Sequence, residues 1–190
     1  MNLVERVKAI LLQPKSEWEA IAREPGDAGY LFTNYVCIVA AIPPVCSFIG
    51  TSIIGFGSFR VGIVSGLLHA VIAYVLGLVG VFVLAYVIDF LAGVFGGQKN
   101  LDSAMKVAAY SPTAAWVAGV FSIIPFLGIL GILGLYSLYL LHTGLAALMK
   151  PPADKALIFT IAVVVCVIVV WFVVIGLVGG LLGFGMMGRY

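Results

Sequence analysis

Charge is what this chain has least of. Only 9% of its 190 residues are Asp, Glu, Lys or Arg, against about a quarter in soluble domains. With 63% of residues hydrophobic, the remaining side chains cannot cover a water-facing surface, so an ordinary soluble fold is excluded and lipid is left as the solvent. Cysteine is scarce too: Cys37, Cys46 and Cys166 each lie in an apolar run, with no C-x-x-C and no Cys/His zinc spacing. They read as small apolar side chains rather than a disulfide framework. No Lys/Arg cluster is interleaved with aromatics, so nothing points to nucleic acid. H-E-x-x-H, G-x-S-x-G and Walker sequences are all missing. Gly183-Phe184-Gly185-Met186-Met187-Gly188 matches G-x-G-x-x-G literally, but no strand precedes it and it is refused as a dinucleotide site. The expectation is a protein that is not an enzyme, with no cofactor and no metal.

Long apolar runs are what the sequence has instead. Charge-free gaps cover residues 28–59, 61–88, 107–149 and 156–188, and a crossing takes about 20 residues. The 107–149 gap is long enough for two helices, with Pro125 and Gly128 supplying the break. The spacing therefore predicts an all-α integral membrane protein with five transmembrane helices at 31–54, 63–92, 110–125, 128–149 and 156–178. The third is short, so it begins a turn earlier or stands nearly perpendicular to the membrane. The runs are continuous rather than alternating at period two, which excludes a β-barrel.

Orientation follows from the cations. Arg6, Lys8, Lys15, Arg23, Lys99, Lys106, Lys150 and Lys155 fall on one side of the predicted membrane, and only Arg60 and Arg189 on the other. The first side is expected to be cytoplasmic, so the N-terminus is inside and the C-terminus outside.

Residues 1–29 form a cytoplasmic arm before the membrane domain at 30–190. Its first apolar run, Ala9 to Leu12, is too short for a signal-peptide core of about 7–15 residues, so no cleaved signal is expected. Leu3, Val7, Ile10 and Leu11 form one stripe, while Glu5, Arg6, Lys8 and Gln13 are read as lying off it. After Pro14, Ser16-Glu17-Trp18-Glu19 fits a capping box for a second short helix. With Trp18 as an interfacial anchor beside Tyr30, the arm is expected to lie along the membrane surface. It either anchors the protein or offers a docking surface to a cytoplasmic protein.

Few polar features lie inside the spans. Pro43-Pro44 sits near the middle of the first and predicts a bend or a helix break. Asp89 is the one carboxylate embedded in an apolar segment. It either reaches the headgroups or meets His142, with Tyr86 and Tyr139 three residues before each completing an intramembrane polar cluster. His69 reads as packing or interfacial. Glycine spacings at Gly62/Gly66, Gly128/Gly131/Gly134, Gly176/Gly180 and Gly179/Gly183 predict close helix packing, within the chain or in a homo-oligomer. The Gly-rich end of 156–188 exceeds a bilayer and is expected to bend or fray.

The sequence resembles a known family. The residues that carry the likeness are Leu11-Leu12-Gln13-Pro14-Lys15-Ser16-Glu17-Trp18-Glu19-Ala20-Ile21-Ala22, Ala41-Ile42-Pro43-Pro44-Val45-Cys46-Ser47-Phe48-Ile49-Gly50, Phe95-Gly96-Gly97, Ala109-Tyr110-Ser111-Pro112, and Gly134-Leu135-Tyr136-Ser137-Leu138-Tyr139-Leu140-Leu141 with Lys155-Ala156. Together, and in order, they resemble the bacterial branch of the Yip (Ypt-interacting protein) domain family. That resemblance implies a five-helix protein of the cell inner membrane, which puts the cytoplasmic arm inside and the C-terminus in the periplasm. Eukaryotic members of the family bind Rab-type GTPases and act in vesicle traffic; they typically have a longer cytosolic N-terminal region with its own motif, which residues 1–29 lack. The likeness therefore speaks to fold rather than to activity.

Two functions remain open on these grounds. One is a non-enzymatic membrane adaptor, organising or trafficking-like protein that works through helix packing and a cytoplasmic docking arm. The other is a small transporter or channel with a polar path near Asp89 and His142.

Overall fold

The computed structural model describes residues 2–55 and 60–187, with backbone alone at 125 and 174–187. Among the described residues every regular element is helical. Two short helices come first. Helix α1, Leu3–Leu12, opens on an Asn2 capping box: the Asn2 side chain accepts from the Val4 amide at 3.4 Å, and Glu5 accepts from the Asn2 amide at 3.3 Å. It stops at Gln13, because the next residue is proline. Helix α2, Pro14–Arg23, starts on that proline. Pro14 has no amide to lose at a first helical position, so the helix begins two residues before the predicted cap and Ser16 lies inside its first turn, donating to the Gln13 carbonyl at 3.0 Å.

Four helices are long and apolar enough to cross a membrane: Ala28–Ile54, Ile63–Val94, Phe126–Met149 and Ala156–Val173. The backbone of the last stays helical to Met187, so its Gly-rich end does not fray there. The Gly176/Gly180 and Gly179/Gly183 spacings lie outside the residues with described side chains, and Gly188 outside those with a described backbone. Phe126–Met149 is wound tightly, as 3-10 helix, through Leu135, becomes α-helical over Tyr136–Gly144 and widens to a π-turn at Leu145–Met149.

The first of these helices is broken where the two prolines predict. It interrupts at Ala40 and Ala41 between Cys37–Val39 and Ile42–Phe48. Pro43 and Pro44 cannot donate to the carbonyls of Val39 and Ala40. Tyr74, from the second long helix, donates its hydroxyl to the Cys37 carbonyl at 2.9 Å beside the break. A neighbouring helix thus supplies a donor that the broken helix lacks.

Residues 101–123 are the centre of the bundle. They form Leu101–Tyr110, a turn at Ser111-Pro112, then Thr113–Ala118 and Gly119–Ile123. Every residue from Ala104 to Ser111 is buried, and small side chains at Ala104, Ala108 and Ala109 let the neighbours close in. This stretch is not among the four long helices, since Pro112 divides it, and it occupies the place of the predicted third span, 110–125. It runs beside the first long helix in the same direction. Asp102 lies against Gly26 and Tyr35 stacks edge-on to Tyr110 at 4.5 Å. Further along, a Cβ on Gly119 would meet Pro43 at 2.8 Å, and one on Gly50 would collide with the Ser122 carbonyl oxygen.

The second long helix ends at the predicted Phe95-Gly96-Gly97 turn. Gly96 takes φ +77°, a left-handed conformation that glycine adopts without strain. The Gln98 amide then donates to the Met149 carbonyl at 2.7 Å. Of the predicted close-packing glycines, Gly66 abuts Ser52 and Phe48, and Gly134 abuts Ala115. Gly62, Gly128 and Gly131 face open space.

Candidate functional site

The arm is part of the core rather than a helix resting on a surface. Ile10, Trp18 and Ile21 are each 0% exposed. Trp18, expected as an interfacial anchor, is instead enclosed by protein. Its indole sits on Gly144, where an added Cβ would come within 2.6 Å of the ring, and its edge meets Tyr110 at 6.3 Å. Only a residue without a side chain admits the ring so close to that helix. Tyr136 pins α1 as well, donating its hydroxyl to the Leu11 carbonyl at 3.2 Å.

Charges follow the arm inward. Arg6 belongs to the apolar stripe, one turn from both Leu3 and Ile10, and not to the outer face as expected. Its guanidinium is paired with Glu17 at 2.5 Å and also with Glu24. It lies over the Tyr110 ring, 5.6 Å from the centroid. Burial by itself lowers the Arg6 pKa, but the hydrogen bond to Glu24 and the nearby Tyr110, Glu24 and Glu17 reverse this and raise it, so the group stays charged. Lys106 reaches the end of α2, where its ammonium donates to the carbonyls of Ile21 at 3.0 Å and Glu24 at 2.6 Å. A helix C-terminus leaves such carbonyls unpaired, and a cation there satisfies them. Beneath them Tyr35 and Thr113 share a hydroxyl hydrogen bond of 2.8 Å, and Thr113 donates to the Tyr110 carbonyl at 2.6 Å.

Arg6, Tyr35, Lys106 and Tyr110 line a cavity of about 560 Å³ between the arm, the start of the first long helix and Leu101–Tyr110. Its walls include Glu24, Asp27, Asp102 and Asn34 with Leu3, Leu31 and Ile38. Among the described residues no three of His, Cys, Asp and Glu are grouped as metal ligands. The sequence reading does not single out Arg6, Glu17, Glu24, Lys106 or Tyr110. Two signals were present: Lys106 is the last cation before the 107–149 gap, and Glu17, Ile21 and Glu24 repeat at helical spacing.

The expected cluster of Asp89, His142, Tyr86 and Tyr139 is not assembled. Asp89 faces Lys99 at 4.0 Å, brought back by the Gly96 turn. His142 pairs with Thr160 through Nδ1 at 2.8 Å. Thr160 also lies 3.0 Å from the Ala156 carbonyl, so its hydroxyl links His142 to the start of the last helix. Tyr86 is 61% exposed, and Tyr139 is 41% exposed and packs on Tyr136 at 5.4 Å. His69 is exposed.

A bundle of long apolar helices with a charged arm folded into one end defines a multi-pass helical membrane protein embedded in the bilayer. A model of the Yip1 domain matches residues 8–185, so the chain belongs to the Yip1-domain family. It is 28% identical to the inner membrane protein YohC of Escherichia coli strain K12, over 96% of this chain and 98% of that protein. YohC of Escherichia coli O6:H1 strain CFT073 matches to the same extent. No solved structure matches the chain.

Proposed function

We propose that the chain is a five-span inner-membrane protein, N-terminus cytoplasmic and C-terminus periplasmic, that acts without catalysis as an adaptor or organising protein. The support for five crossings is the side-by-side run of residues 26–50 and 102–122, from Gly26 against Asp102 to Gly50 against Ser122. The first long helix carries the chain from one end of the bundle to the other, and its neighbour does so in parallel. The Gln98–Met149 hydrogen bond of 2.7 Å agrees, since it joins the ends of two long helices at the same end. Between them the chain has to return once. The eight cations gathered at the arm end support the cytoplasmic assignment, and the name of the Escherichia coli relative supports the inner membrane.

The observation that carries the adaptor reading is the Arg6–Glu17/Glu24 lock. It uses up the inner side of the arm and leaves a fixed outer face bearing Glu5, Lys8, Lys15, Glu19 and Arg23, all exposed. A rigid charged platform binds a cytoplasmic protein without the entropy cost of ordering a free tail. Photo-crosslinkers at the exposed positions 12 and 20 in native membranes test this. Discrete heteromeric adducts that vanish on Lys8→Glu with Glu19→Lys are expected. Adducts no different from those at the lipid-facing position 172 would contradict it.

A further inference from the structure

The cavity between the arm and the first span holds more acceptor than donor capacity. Arg6 is already engaged by Glu17, Glu24 and the Tyr110 ring, and Lys106 by two carbonyls. The acids are less committed. Asp27 spends one oxygen on the Tyr30 amide at 2.8 Å, Glu24 has one oxygen on Arg6, and Asp102 has no hydrogen-bond or ion-pair partner among the described residues. Tyr110 supplies a second, independent observation. It is 94% buried, being 6% exposed, and lines the cavity, yet its hydroxyl has no hydrogen-bond partner among the described residues. The buried side-chain polar atoms without a partner among the described residues are Trp18 Nε1 and Ser52 Oγ, so the Tyr110 hydroxyl is instead open to the cavity, where a ligand group can meet it.

We propose that this cavity takes the primary ammonium headgroup of a membrane aminophospholipid. An anion would meet three carboxylates, Glu24, Asp27 and Asp102, against two cations, Arg6 being paired with carboxylates and Lys106 having its ammonium on backbone carbonyls. A bare dication would need a closer set of ligands than the described residues offer. An ammonium group has three donors to place and suits Asp102, Asp27 and the Tyr110 oxygen. A volume of about 560 Å³ accommodates a headgroup. The apolar wall argues for a lipid over a free amine: Leu31 and the half-exposed Ile38 continue the cavity along the membrane-crossing helix, where an acyl chain lies. The inference stands apart from the adaptor reading, since it concerns the inner side of the arm and needs no protein partner.

Competition in detergent tests it. Delipidated full-length protein is incubated with equal amounts of phosphatidylethanolamine, phosphatidylcholine and phosphatidylglycerol of identical chains, and retained lipid is quantified by mass spectrometry. Phosphatidylethanolamine is expected to be enriched about tenfold over both others, the size of one charge-assisted hydrogen bond. Asp102→Asn and Tyr110→Phe should each reduce the enrichment, while Asp154→Asn, outside the cavity, leaves it unchanged. Asp102 is exposed, so its variant keeps the fold, which an unchanged melting temperature checks. Equal retention of the ethanolamine and choline lipids, or preference for phosphatidylglycerol, would overturn the proposal. Displacement by free phosphoethanolamine at the same concentration as the lipid would overturn the lipid assignment in favour of a soluble amine.

Discussion

The Gln98 amide donates to the Met149 carbonyl at 2.7 Å, tying the turn after one long helix to the last residue of another. Met149 is fully buried there, and the Lys150 that follows is held in a left-handed conformation at φ 46°. The loops at 95–100 and 150–155 are therefore one surface, and Trp18 on Gly144 places the arm against it. Charged residues that are far apart in sequence become neighbours at that end. The polar tie from bundle to arm is Lys106, whose ammonium donates to the Ile21 and Glu24 carbonyls.

Trp18→Ala should remove the largest wholly buried side chain of the arm and cost about 3–5 kcal/mol. Thermal unfolding of the purified protein in detergent measures it. Gly144→Val should have a similar consequence from the other side, because its new carbons would enter the space of the indole.

Arg6→Leu leaves Glu17 buried without its cation, at a cost of about 3–5 kcal/mol. Glu17→Leu alone should be comparably damaging. The double substitution should cost clearly less than the sum, because it removes both charges and leaves apolar groups of similar bulk. Additive losses in a double-mutant cycle would show that the two residues act separately.

Lys106→Met should loosen the arm without disturbing membrane insertion. It removes the donor from the Glu24 carbonyl and leaves the Ile21 carbonyl only the Glu24 amide at 3.3 Å. Trypsin cleavage after Arg23 in intact inverted vesicles is expected to quicken by at least about tenfold. An unchanged rate would mean that apolar packing alone holds α2.

Tyr74→Phe should cost about 1–3 kcal/mol, since it strips the Cys37 carbonyl of its donor beside the helix break. In a Pro43→Ala, Pro44→Ala background the same change should cost less, because an unbroken helix satisfies its own carbonyls. Melting temperatures of the four proteins decide it.

Much of the fold was legible because a charge in hydrocarbon is costly wherever it falls, so charge-free gaps mark helices without knowledge of their packing. The break at Pro43-Pro44 and the turn at Gly96 were legible for the same local reason: each depends on one residue type and its backbone. The arm was misjudged where partners decide. Trp18 is equally suited to an interface and to a core, and nothing local says that Gly144, well over a hundred residues away, leaves room for it. Arg6 looked like a surface residue because its compensation comes from Glu17 and Glu24 on another helix. Whether Asp89 meets His142 depends on helix rotation, which no local pattern fixes, and Lys99 and Thr160 are the partners the fold supplies.

Five crossings with the arm inside is the central claim, and single-cysteine accessibility tests it most directly. In a background without Cys37, Cys46 and Cys166, cysteines are placed at positions 60, 126 and 154, and intact cells are treated with a membrane-impermeant maleimide. The account predicts labelling at 60 and 126 and protection at 154 until the cells are opened. Protection at 126 with labelling at 154 would mean that residues 101–123 do not cross, and would contradict it.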